Sequence, residues 1–149
     1  MKSRMLLLGA SLISLLLVSP AGWAQQKYSP KTGEELYGTW VDPDSSSEAY
    51  RWVISSEGTI LEFWKGHEQP YMEARYSIDK KWTDDGGNIC YQCTSRWGFQ
   101  PWSESKVIDT WYTLFKIDAS SSSLRSVWSQ HTVPADFQGN LQPRNWKRE

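Results

Sequence analysis

Apolar and polar residues alternate with a period of two along most of this chain, in runs separated by short polar turns. That period places successive side chains on opposite faces of a strand. Leu36 to Val41 reads as the first strand. Ala49 to Ile54 follows, with Tyr50, Trp52 and Ile54 on one face and Arg51 on the other. The turn Ser55-Ser56-Glu57-Gly58 returns the chain as Thr59 to Trp64, a β-hairpin by spacing and composition. After a loop at 66–70, Tyr71 to Trp82 is a long strand. There Met72, Ala74, Tyr76 and Ile78 alternate with Glu73, Arg75, Ser77 and Asp79. Asp84-Asp85-Gly86-Gly87 is the strongest turn signal in the chain, and Asn88 to Trp97 returns from it. Gly98 to Lys106 is a loop containing Pro101. Val107 to Ile117 is a strand rich in β-branched and aromatic residues, Asp118 to Ser123 a serine-rich turn, and Leu124 to Ser129 the seventh strand. The last 20 residues are polar, with a short closing strand expected around Trp146. No segment predicts a helix of three turns.

The expected fold class is therefore all-β, an antiparallel up-and-down meander of seven or eight strands. Closure into a small barrel, complete or nearly so, removes the exposed edges that such a meander would otherwise present. A barrel of about eight strands has room for interior side chains or for one small ligand.

Residues 1–24 do not belong to this pattern. Lys2 and Arg4 precede an apolar run from Leu6 to Val18, and Gly22 and Ala24 supply small residues for cleavage. This is the arrangement of a secretory signal peptide, which predicts a secreted or periplasmic protein. The run is short of the roughly 20 residues a membrane span needs, and no cysteine stands near the cleavage site, so no membrane anchor is expected. Residues 25–149 are then a single domain. Without Lys2 and Arg4 the 16 basic residues become 14 against 17 acidic, a net charge near −3. With no basic run, the chain lacks the electrostatic footprint of nucleic-acid binding.

The first strand carries Gly38-Thr39-Trp40, after a short polar segment able to make one turn of 3₁₀ helix. This resembles the N-terminal Gly-x-Trp signature of lipocalins and lipocalin-like (calycin-type) barrels. The pattern of Glu57-Gly58-Thr59-Ile60, Tyr76-Ser77-Ile78 and Leu124 to Trp128 is similar to that of secreted bacterial proteins of the lipocalin-like group. The resemblance implies that Trp40, with Gly38, closes one end of the barrel, and that an arginine near the last strand packs over it. Arg125, Arg144 and Arg148 are the candidates. A β-sandwich is the competing architecture.

Candidate chemistry is sparse. Cys90-Tyr91-Gln92-Cys93 has C-x-x-C spacing, but it lies in a strand pattern and lacks the helix N-terminus that activates a redox thiol. Residues three apart in a regular strand point to opposite faces, so two buried free thiols are expected in place of a disulfide. His67 and His131 stand in separate loops, and no metal or other cofactor is expected. Asp84 and Asp85 read as turn residues. Glu62, Arg75 and Arg96 sit mid-strand among aromatics and are expected to face solvent. An inward one would orient a polar ligand group, because a buried charge must be paired. The faces of the second hairpin strand stay open: Ile60, Glu62 and Trp64 share one, Leu61 and Phe63 the other, and a slip of one residue exchanges them.

Of the ten tryptophans one, Trp23, lies in the leader, which leaves nine for the barrel. No nucleophile–base pair or metal cluster can be named, so the chain is not expected to be an enzyme. The expected function is non-enzymatic binding of a small lipophilic molecule. Trp52, Tyr76, Tyr91, Trp111, Phe115 and Trp128 form the expected walls. Trp97 and Trp102, in or beside a loop with Phe99, are expected to be partly exposed. They carry the alternative of a carbohydrate-binding surface. A filled barrel acting on another protein is the third reading, with no partner legible in the sequence.

Overall fold

A computed structural model describes residues 33–44, 48–120, 122–137 and 143–149. The expected signal peptide at 1–24 lies outside them. The eight strands are β1 (Gly38–Val41), β2 (Ala49–Ile54), β3 (Thr59–Trp64), β4 (Met72–Thr83), β5 (Ile89–Phe99), β6 (Val107–Ile117), β7 (Ser123–Ser129) and β8 (Arg144–Arg148). Each pairs antiparallel with its sequence neighbour, and β8 pairs back onto β1 through Trp40 opposite Arg148 and Val41 opposite Lys147. The meander is a closed barrel, in which every strand has a paired neighbour on both sides. Leu36 is not in the first strand. It ends a single 3₁₀ turn, Glu34–Leu36, and is fully buried beneath the barrel.

Up-and-down connectivity separates the loops into two sets. β2 and β3, β4 and β5, and β6 and β7 are joined at the end that holds the 3₁₀ turn. β1 and β2, β3 and β4, β5 and β6, and β7 and β8 are joined at the other. The first end is plugged. Trp40 is fully buried, its indole N–H donates to the Leu36 carbonyl at 2.7 Å, and the Arg148 guanidinium lies 4.3 Å from its ring centroid. Arg148 also donates to the carbonyls of Tyr37 and Glu35, which ties β8 to the 3₁₀ turn. Of the three candidate arginines, Arg148 covers Trp40. Gly38 is required here twice over. Its φ of +123° disfavours any L side chain, and a Cβ would stand 3.1 Å from the Arg148 guanidinium.

A bulge changes the face pattern of β4. Ile78 pairs with Cys93, but Lys80 pairs with Gln92 and Lys81 with Tyr91, so Asp79 is the extra residue. The slip puts Lys81 on the inner face and Trp82 on the outer. Lys81 then bonds Glu35 at 3.0 Å, and the Tyr91 hydroxyl donates to the same carboxylate. Burial raises the Glu35 pKa, but hydrogen bonds from Tyr91, its own backbone and Lys81 outweigh burial and lower it below the ordinary value. A lowered carboxyl pKa stabilises the fold above the unfolded value and ceases to do so as pH falls through the folded one. The melting temperature of Glu35→Gln should therefore lie below that of the parent at pH 7, and the gap should narrow as pH falls below the ordinary carboxylate range. A gap that is constant with pH would exclude this latch.

Both cysteines are free and buried, and they lie on opposite faces of β5, Cys93 inward and Cys90 outward. Burial pushes both thiols up, Cys93 well above its ordinary range. Neither should react with an aromatic disulfide reagent in the native protein, and both should react once the chain is denatured. Rapid native labelling would contradict this packing.

Candidate functional site

Register fixes which residues look into the barrel. Trp40 opposes Trp52, Trp52 opposes Glu62, Ala74 opposes Trp97, Trp97 opposes Asp109 and Thr113 opposes Trp128. The inner face of β3 is thus Ile60, Glu62 and Trp64. Glu62 does not face solvent as expected. It is only 6 % exposed, on the inner wall. Arg75 and Arg96 do face out, half-exposed, and pair with Glu73 and Glu104.

The six expected wall residues all lie on the inner face, in two groups. Tyr76 and Tyr91 belong to the plugged end, where their hydroxyls donate to the Ser55 carbonyl and to Glu35. Burial pushes the Tyr76 phenol up to a level at which it stays protonated at any ordinary pH. Trp52, Phe115, Trp111 and Trp128 form a connected cluster towards the other end. Trp52 meets Phe115 edge-on at 6.2 Å and Trp128 at 6.4 Å, and Trp111 and Trp128 are parallel with centroids 5.7 Å apart. Trp52 and Phe115 are buried, whereas Trp111 and Trp128 keep partial access to solvent.

Three further indoles complete this half. Trp146 stacks on Trp52 at 4.3 Å. Trp97 lies 5.9 Å from Trp52 and 5.4 Å from Trp111. Trp64 reaches the rim, where it packs on Tyr71 at 4.2 Å. Tyr71 in turn meets His67 and Phe99. Trp97 is therefore not a partly exposed loop residue. It is 2 % exposed, because β5 continues unbroken to Phe99, and the register break beside it falls on β6, where Ile108 is the extra residue. Trp102 is half-buried on the outer side, against Gly98 and Arg75. The two do not make a flat exposed row.

Every buried inner indole N–H has an acceptor, as a buried donor requires, and so do those of the half-buried Trp64 and Trp111. Trp97 donates to Ser95 Oγ at 2.9 Å and Trp146 to Ser126 Oγ at 2.9 Å. Trp111 donates to Asp109 at 2.7 Å, and Gln130 donates to the same oxygen. Trp52 and Trp64 donate to the two oxygens of Glu62, at 2.8 and 2.6 Å. At the same end Asp42 is paired with Arg144, whose guanidinium also lies 4.4 Å from the Trp146 ring centroid.

Sequence reasoning missed Trp64, Trp97, Trp146, Asp109 and the Asp42–Arg144 pair as parts of one site. A signal for β3 was present. The hairpin turn places Ile54 opposite Ile60, so an inward Trp52 forces Glu62 inward. Nothing local signalled the others, because their meeting depends on barrel closure. Among the described residues no three His, Cys, Asp or Glu side chains converge to hold a metal. Comparison with protein-family models, curated proteins and solved structures gave no match for this chain.

Proposed function

We propose that this chain is a non-enzymatic binding protein of lipocalin-like type that holds a small lipophilic molecule at the open end of its barrel. One observation carries the reading. The end below Trp40 is plugged, while inner-face indoles at the opposite end, Trp64, Trp111 and Trp128, remain accessible to solvent. An apolar aromatic surface with a few oriented polar groups is the usual small-molecule site. Gly38, Trp40 and Arg148 support the family resemblance. The leader pattern over 1–24 supports export. Trp52 packs tightly against Trp146 and Phe115, so the ligand lies above this layer, and Trp52 and Phe115 form its floor. Tyr76 and Tyr91 are too deep to touch it.

The test is a titration of tryptophan fluorescence with single-chain and aromatic amphiphiles, run beside soluble oligosaccharides. Saturable quenching by amphiphiles, lost in Trp111→Ala or Trp128→Ala with the fold intact, supports the proposal. A response to sugars alone would sink it. A second reading rests on Phe99, Ile108 and Val133, large apolar side chains left exposed. Their solvent-facing surface suits contact with another protein, and co-purification that is lost in Phe99→Ser and Ile108→Ser would favour it.

A further inference from the structure

Glu62 is a buried carboxylate that pairs with no cation among the described residues. Its side-chain partners are two neutral indole N–H groups, one on each oxygen, at 2.8 and 2.6 Å. A carboxylate offers about four acceptor positions, so two remain unused. Neutral donors orient the charge but do not cancel it, and buried charges are normally paired. Asp42, at the same end of the barrel and similarly buried, shows what the fold provides when a charge is to be neutralised. Arg144 is bound to it and covered by indole rings. Asp109, the other inner-face carboxylate of this end, is likewise held by neutral groups, the Trp111 indole, the Gln130 amide and the Thr110 backbone N–H.

The surroundings share this bias. Besides the Asp42 that Arg144 neutralises, the connections at 42–48 and 130–143 contain Asp44, Glu48 and Asp136 but no lysine or arginine. The connections at 65–71 and 100–106 are balanced, with Lys65 against Glu68 and Lys106 against Glu104. The open end as a whole favours an approaching positive charge. Its walls suit one as well, because indole faces attract cations, most strongly where water is excluded.

We propose that the ligand of the open end is an organic cation, a protonated or quaternary amine on an apolar body, and that Glu62 is its counter-ion. This rests on the open end being the binding site. The ligand's charge neutralises Glu62, and the carbon skeleton lies against Trp111 and Trp128. Trp52 and Trp64 hold the carboxylate in place from the other side. A merely architectural role for Glu62, tying down two indoles, predicts a loss of stability on substitution but no charge preference in binding.

The experiment uses three probes of equal length below their micellar concentrations, decyltrimethylammonium, decanol and decanoate, measured by calorimetry on the mature chain and on Glu62→Gln. The amide keeps an acceptor for an indole N–H and removes the charge. The expected ranking for the parent is the cation tightest, by about tenfold or more over decanol, and decanoate weakest. In Glu62→Gln the cation should weaken by about tenfold while decanol changes less than about threefold. Equal affinity of the parent for cation and alcohol, or a preference that survives in Glu62→Gln, overturns the inference and leaves open-end binding standing. Binding of none of the three overturns both. The parent's ranking decides the matter even if Glu62→Gln does not fold.

Discussion

Trp40→Ala should destabilise the barrel by about 3–5 kcal/mol, the range for a large aromatic removed from a packed core. Three contributions disappear together. The fully buried indole loses its contacts with the plugged end, the Leu36 carbonyl loses its donor at 2.7 Å, and Arg148 loses the ring beneath it. The surroundings cannot collapse to fill the space. Gly38 has no side chain to offer, and Arg148 is held by the carbonyls of Tyr37 and Glu35. Chemical denaturation of the parent and the variant measures the effect. A loss below about 1 kcal/mol would mean that the end is held by the strand pairing alone. The ligand binding proposed for the other end should persist under conditions where the variant is still folded.

Trp52→Ala should cost a similar amount, about 3–5 kcal/mol, for a different reason. Trp52 is the hub of the interior cluster, touching Trp97, Phe115, Trp128 and Trp146. Its removal also strips Glu62 of one of two donors and leaves a buried charge less well satisfied. A double-mutant cycle separates the two effects. With Glu62→Leu as the second change, the double variant should be more stable than the sum of the single losses by about 1–3 kcal/mol, since the stranded carboxylate is then absent. Strict additivity, within about 0.5 kcal/mol, would show that the indole–carboxylate bond contributes nothing.

The interior carries polar groups in proportion to its tryptophans. Each indole brings an N–H that must be satisfied, and the chain answers with Ser95, Ser126, Glu62 and Asp109 on the same inner face. Serines two residues before Trp97 and diagonal to the β8 indole, opposite Arg144, read in isolation as ordinary alternation errors. In the barrel they are the acceptors that make so many buried indoles tolerable.

The sequence by itself determined the strands, their order and the meander, because period-two alternation and turn residues are local properties. The limits of β2, β3 and β6 follow from them without adjustment. It also marked Gly38 and Trp40, since that position demands a residue without a side chain followed by a large ring. Only the tertiary structure decided which arginine covers Trp40, that Asp109 and Trp146 join the inner cluster, and that Trp97 is enclosed rather than displayed. The reason is common to all three. The face a residue occupies depends on register against a partner strand, and each bulge, at Tyr50 in β2, Asp79 in β4 and Ile108 in β6, shifts that register by one residue. Bulges and the closing β1–β8 pairing are stabilised by contacts between residues far apart in the chain. No window of the sequence contains both sides of such a contact.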